Sequence, residues 1–127
     1  MKRVVILLVS ILALAGCSSS SAVSTVNAQD FATTISDSNV VILDVRTPGE
    51  YAEGHIDGAI NIDVESGTFE SAIAGLDKSA TYAVYCRSGR RSAIATDSMA
   101  SLGFAKLYNL DGGTGAWMSA GQQLVMG

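Results

Sequence analysis

Tyr82-Ala-Val-Tyr-Cys-Arg-Ser-Gly-Arg-Arg-Ser92 runs from an apolar segment into one cysteine, Cys86, and then into five residues carrying three arginines and a glycine. The apolar run Tyr82 to Tyr85 is continuous and of strand length, which suits a parallel strand buried on both faces. A helix-forming stretch begins at Ser92 and extends to Leu102, with Gly103 as its stop. A thiol held between a strand end and a helix N-terminus lies where backbone N–H groups converge and favour negative charge. Cys86 is therefore expected to be a thiolate, the reactive form of cysteine. In open parallel sheets, ligands bind beyond the carboxyl ends of the strands, and Cys86 falls at such an end.

Outward from this stretch the same alternation continues. Asn27 caps a helix expected to run to about Ser36. Val40-Val-Ile-Leu-Asp44 is a second continuous apolar strand. Thr47-Pro-Gly-Glu50 combines a cap residue, a proline at the first helical position and a glutamate three residues after the cap, which marks a short helix ending by Gly54. A short strand follows at Ala59 to Ile62, a helix at Ser66 to Ala74 and, after Cys86 and its helix, a strand at Ala105 to Leu110. Gly112-Gly113-Thr114 opens a last short helix carrying Trp117. Strands alternating with helices through short connections predict an α/β fold whose parallel sheet is covered on both faces.

The N-terminus has a different character. Lys2 and Arg3 precede an apolar run, Val4 to Ala15, that is short for a bilayer span, and Leu14-Ala-Gly-Cys17 follows. This layout resembles a bacterial lipobox. The resemblance implies a signal peptide over residues 1–16, removal of which makes Cys17 the lipidated N-terminus. Residues 17–22, with serines at 18–21, then form a flexible tether, and the domain occupies 23–127. The implied location is the cell envelope, lipid-anchored and outside the cytoplasm, facing the periplasm or the cell surface.

Cleavage there leaves 111 residues with six basic side chains (Arg46, Lys78, Arg87, Arg90, Arg91, Lys106) against twelve acidic ones, a net charge of −6. Half of the basic side chains lie between Arg87 and Arg91, which points to one local anion site rather than the broad basic face of a nucleic-acid binder. With Cys17 lipidated, Cys86 is the sole thiol in an oxidising compartment, where an unused free thiol is a liability. One histidine and one free cysteine make no metal-ligand set.

Three blocks in order resemble the single-domain rhodaneses, the sulfane-sulfur transferase family. They are Leu43-Asp-Val-Arg-Thr-Pro-Gly-Glu-Tyr-Ala-Glu-Gly-His-Ile-Asp-Gly-Ala-Ile-Asn-Ile62, the loop Cys86-Arg-Ser-Gly-Arg-Arg91, and Leu110-Asp-Gly-Gly-Thr-Gly-Ala-Trp117. The resemblance covers roughly Val23 to Leu124. It implies a three-layer α/β/α sandwich with a five-stranded parallel sheet of order 1-5-4-2-3. It also implies a monomeric enzyme without cofactor. A donor such as thiosulfate or polysulfide passes its outer sulfur to Cys86, and cyanide or a thiol takes it from the persulfide.

The resemblance further gives roles to individual residues. Cys86 is the nucleophile, and the segment Arg87, Ser88, Gly89, Arg90, Arg91 and Ser92 forms its substrate-binding loop, with backbone N–H groups curled round the sulfur. Gly89 supplies a positive φ, and each arginine either grips the anionic donor or pairs with a nearby carboxylate. Asp44 and Arg46 organise the surrounding loops from behind. His55 is expected to be structural, because an activated thiolate needs no base, and Trp117 is expected in the core. Cysteine phosphatases of a related type carry an arginine six positions after the cysteine. Here that position is Ser92 and Arg91 is at the fifth, so the six-residue loop suits sulfur better than phosphate. A thiol-redox, sulfur-carrier or binding module of the same fold is the alternative that uses the same thiol.

Overall fold

The computed structural model describes residues 22–127. Along this stretch strands and helices alternate as β1 (Val23–Val26), α1 (Ala28–Ile35), β2 (Val41–Asp44), α2 (Pro48–Glu53), β3 (Ile60–Asn61), α3 (Phe69–Ile73), β4 (Thr81–Tyr85), α4 (Arg90–Ser101), β5 (Lys106–Leu110) and α5 (Gly113–Ser119). The local signals act as their chemistry predicts. The Asn27 side chain accepts the Asp30 N–H at 2.8 Å and caps α1. Thr47 accepts the Glu50 N–H at 3.3 Å and caps α2, with Pro48 at the first helical position.

The five strands form one all-parallel sheet in the order β1-β5-β4-β2-β3, so the expected α/β sandwich is the fold. β4 lies at its centre, between β5 and β2. Its side chains alternate between two apolar layers. Tyr82, Val84 and Cys86 pack with Phe69 and Ile73 of α3 and with Ala95 and Met99 of α4. Ala83 and Tyr85 pack with Phe31 of α1 and Trp117 of α5 on the opposite face. Burial on both sides is why the β4 sequence is apolar without alternation. Fully burying one such large side chain contributes about 1.5–3 kcal/mol.

Several boundaries differ from expectation. β1 is absent from the sequence reading. Its Val-Ser-Thr-Val sequence is half polar and its middle residues are exposed, as an edge strand allows. α4 begins at Arg90 rather than Ser92, because Gly89 already takes the left-handed conformation (φ 99°) and the two arginines enter the first turn. α3 is confined to Phe69–Ile73. The preceding Ser66 and Thr68 hydroxyls bond to each other at 2.9 Å, and Ser66 also bonds the Asp63 carbonyl at 2.9 Å, holding a local turn in place of helix. The expected signal peptide over residues 1–16, Cys17 and the serines at 18–21 lie outside the described residues, whereas Ala22, the last residue of the expected tether, packs against the core and accepts the Leu107 N–H at 2.9 Å.

Candidate active site

β4 delivers Cys86 to the carboxyl edge of the sheet, and α4 starts four residues later. The chain closes back on the sulfur within that span. The Gly89 N–H donates to Cys86 Sγ at 3.0 Å and the Ser92 hydroxyl at 3.4 Å. Burial pushes the Cys86 thiol up. The Ser92 hydroxyl and the N–H groups of Ser92, Gly89 and Ser88 outweigh that and hold it below the ordinary thiol value. The residue is fully buried, at 0% exposure, so the sulfur lies on the floor of this cradle. Arg87, Ser88 and Arg90 are exposed on its rim.

The three loop arginines separate into two kinds. Arg91 forms a two-pronged ion pair with Glu50, at 2.7 and 2.9 Å, and its Nε lies 3.6 Å from Glu65. The hydrogen bonds and charge of Arg91 bring the Glu50 carboxyl down to about 2. Arg87 and Arg90 have no side-chain hydrogen bond or ion pair among the described residues.

Beneath the loop the glycine block of α5 braces the backbone. The Thr114 N–H donates to the Cys86 carbonyl at 3.0 Å. Gly113 has φ 57°, and a Cβ built there would lie 2.4 Å from both the Cys86 carbonyl oxygen and the Arg87 carbonyl carbon. Only glycine permits that approach. Gly89 likewise has φ 99°, with the Gly112 nitrogen 3.2 Å from where its Cβ would stand.

Asp44 and Arg46 form a buried ion pair of 2.6 Å at the end of β2. Tyr85, the residue before Cys86, donates its hydroxyl to Asp44 Oδ2 at 2.7 Å and accepts the Ile56 N–H at 2.9 Å. Burial and the adjacent Asp44 carboxylate push the Tyr85 hydroxyl up, so it remains a donor. Arg46 also donates to the Gly54 carbonyl, and its guanidinium lies 5.7 Å from the centre of the Tyr85 ring. One network therefore joins the ends of β2 and β4 to the segment after α2. His55 stacks on Tyr51 with ring centroids 3.7 Å apart, bonds the Tyr51 carbonyl through Nδ1 at 2.9 Å, and pairs its backbone with Val125. Its contacts are structural. Trp117 is buried edge-on against Phe31, at 6.0 Å.

Glu50, Tyr85, Gly113 and Thr114 were not singled out as site residues by sequence reasoning. In the sequence Glu50 belongs to a helix start within the Leu43–Ile62 block and the glycine pair to a helix opening within the Leu110–Trp117 block, and neither signal assigns a contact to the Cys86 loop.

A family model described as the rhodanese-like domain matches residues 27–120. The chain belongs to the rhodanese-like domain family. Thiosulfate sulfurtransferase PspE of Escherichia coli is 37% identical to this rhodanese-like chain over 70 residues, which cover 55% of this chain and 67% of PspE. Thiosulfate sulfurtransferase GlpE of Pseudomonas entomophila is 37% identical over 79 residues, 62% of this chain and 71% of GlpE. Among solved structures, a rhodanese-related protein from Thermoplasma volcanium superposes with a TM-score of 0.71 at 31% identity, covering 81% of this chain and 98% of that one. Residues 1–18 match the model of a prokaryotic membrane lipoprotein lipid attachment site, which points to a rhodanese-like protein lipid-anchored in the cell envelope. No helix among the described residues is long and apolar enough to cross a membrane.

Proposed function

We propose that this protein is a sulfurtransferase in which Cys86 carries sulfane sulfur as a persulfide. The Cys86 thiolate attacks the outer sulfur of a donor such as thiosulfate or a polysulfide. The new bond forms at Sγ, the donor's own S–S bond breaks, and its electron pair leaves with the remaining anion, sulfite in the case of thiosulfate. Cyanide or a thiol then removes the sulfur and regenerates the thiolate. The observation that carries this reading is the Gly89 N–H at 3.0 Å from Sγ, joined by the Ser92 hydroxyl. These groups stabilise negative charge at the atom where it must reside.

The remaining geometry supports the same chemistry. An S–S bond of about 2 Å places the outer sulfur of a persulfide beyond the buried Sγ, toward the rim. Arg87 and Arg90 are exposed there and unpaired among the described residues, available to an anionic donor, whereas Arg91 is already used by Glu50. The loop from Cys86 to Arg91 is six residues long, a size for sulfur rather than for phosphate. Ser88 lies on the rim, while Asp44 and Arg46 organise the site from behind. The 23–127 domain works as a monomer outside the cytoplasm, with residues 1–16 removed, Cys17 lipidated and 17–22 as the tether.

The test is the mass of the Cys86 peptide after exposure to thiosulfate, polysulfide or a persulfide donor. A gain of one sulfur atom, absent in Cys86→Ser, is the expected result. No adduct with any of the three donors overturns the reading.

A further inference from the structure

Two depressions flank the Cys86 loop. The larger, about 460 Å³, has Ser88, Arg90, Arg91 and Glu65 in its wall. The smaller, about 260 Å³, is lined by Arg46, Glu50, Glu53, Arg87, Thr114 and Met118. Glu50 belongs to one and Arg91 to the other, so their ion pair forms the partition between them. The smaller depression borders the Cys86 backbone, because Arg87, the next residue in the chain, and Thr114, whose N–H donates to the Cys86 carbonyl, both line it.

Once the internal pairs are set aside, the charges left in the two spaces differ. Arg46 is held by Asp44 and Gly54, and Glu50 by Arg91. The smaller space keeps one free cation, Arg87, and one free carboxylate, Glu53; both residues are exposed, and neither side chain has a hydrogen bond or ion pair among the described residues. Met118 adds an apolar wall that is 53% exposed. In the larger space Arg91 is taken up by Glu50 and lies 3.6 Å from Glu65, which leaves Arg90 as its free charge among the described residues, a better balance for a purely anionic donor.

We infer that the smaller depression is the acceptor subsite and selects a small zwitterionic thiol, with its carboxylate on Arg87, its ammonium on Glu53 and its aliphatic stem on Met118. This rests on the persulfide reading of Cys86. The volume lies below the roughly 300–1,000 Å³ of drug-sized ligand sites, which fits an amino-acid-sized molecule. The acceptor thiolate attacks the outer sulfur of the Cys86 persulfide. A bond forms between the two sulfurs, and the bond to Sγ breaks with its electron pair returning Cys86 to thiolate. The proton given up by the acceptor thiol ends on the transferred sulfur, and no oxidant or reductant is consumed.

The experiment loads the full-length protein in detergent with one sulfur from thiosulfate. It then follows discharge of the Cys86 persulfide by cysteine, cysteamine, 3-mercaptopropionate and 2-mercaptoethanol at equal thiolate concentration. Cysteine is expected to be the best acceptor. Glu53→Gln is expected to raise the KM for cysteine and cysteamine about threefold, the size of one exposed ion pair, without raising that for 3-mercaptopropionate. Equal discharge by all four thiols, or a uniform effect of Glu53→Gln on all of them, overturns the inference and leaves the persulfide reading standing. Where thiosulfate does not load Cys86, polysulfide or a persulfide donor is used, and failure of all three overturns that reading and the inference with it.

Discussion

Arg91 donates both terminal nitrogens to the Glu50 carboxylate, at 2.7 and 2.9 Å, and so ties the first turn of α4 to the first turn of α2. The two residues are 41 apart in sequence, and the pair fixes one wall of the sulfur cradle. Glu50→Gln is expected to cost on the order of 1 kcal/mol of stability, as a partly buried, two-pronged pair lies above the range for fully exposed pairs. The Glu50 carboxyl titrates at about 2, below its ordinary 4.5. The contribution of the pair is thus complete above about pH 4.5 and is lost as the pH falls toward 2. Urea unfolding of wild type and variant should differ at pH 7 and converge near pH 2. A constant gap across that window would show that the pair is not the source of the difference. Arg91→Lys should not restore the cradle, because an ammonium cannot form the fork.

The Cys86 thiol is pushed up by burial but held below its ordinary value by Ser92, Gly89 and Ser88. The thiolate fraction therefore rises at lower pH than that of an ordinary thiol. The rate of persulfide formation should follow that limb and level off at a lower pH than for an unperturbed cysteine. Ser92→Ala removes the hydroxyl donor at 3.4 Å and should move the limb to higher pH. An unmoved limb in the variant would mean that the backbone N–H groups alone set the charge.

Gly113→Ala should be severely disruptive although it touches no reacting atom. A Cβ there would stand 2.4 Å from the Cys86 carbonyl oxygen in a left-handed backbone conformation. The loop must shift, at a cost of about 2 kcal/mol or more, with sulfur transfer falling at least tenfold. Gly115→Ala, two residues on in the same helix, has nothing within 4 Å. It should be neutral or stabilise by up to about 1 kcal/mol through helix propensity. Thermal unfolding and turnover of the two variants make the comparison, and equal effects would refute the close-approach argument.

Cys17→Ala should release the protein from membranes while the domain's sulfur transfer is unchanged. Fractionation of cells expressing the variant measures it. Retention in the membrane fraction would show that lipid at Cys17 is not the anchor.

Much of this protein was legible in the chain because the deciding signals are local. Continuous apolar runs at Val40–Asp44 and Tyr82–Tyr85 can be satisfied only by strands buried on both faces, and Thr47-Pro48-Gly49-Glu50 starts a helix by its own chemistry. Cys86 before a glycine-containing loop and a helix already carried the expectation of an activated thiolate. β1 escaped because an edge strand needs only half of its side chains to be apolar, so Val-Ser-Thr-Val carries little signal. The division of labour among the arginines was decided by tertiary structure alone. Arg87, Arg90 and Arg91 are equivalent in sequence, and only the tertiary structure brings Glu50 of α2 to Arg91 of α4 and leaves the other two without a side-chain partner among the described residues. The same holds for Gly113 and Thr114, whose contact with the Cys86 carbonyl exists only because β5 lies beside β4 and turns α5 under the loop. Pairings between residues distant in sequence depend on where the sheet places its strand ends, and no local propensity encodes that.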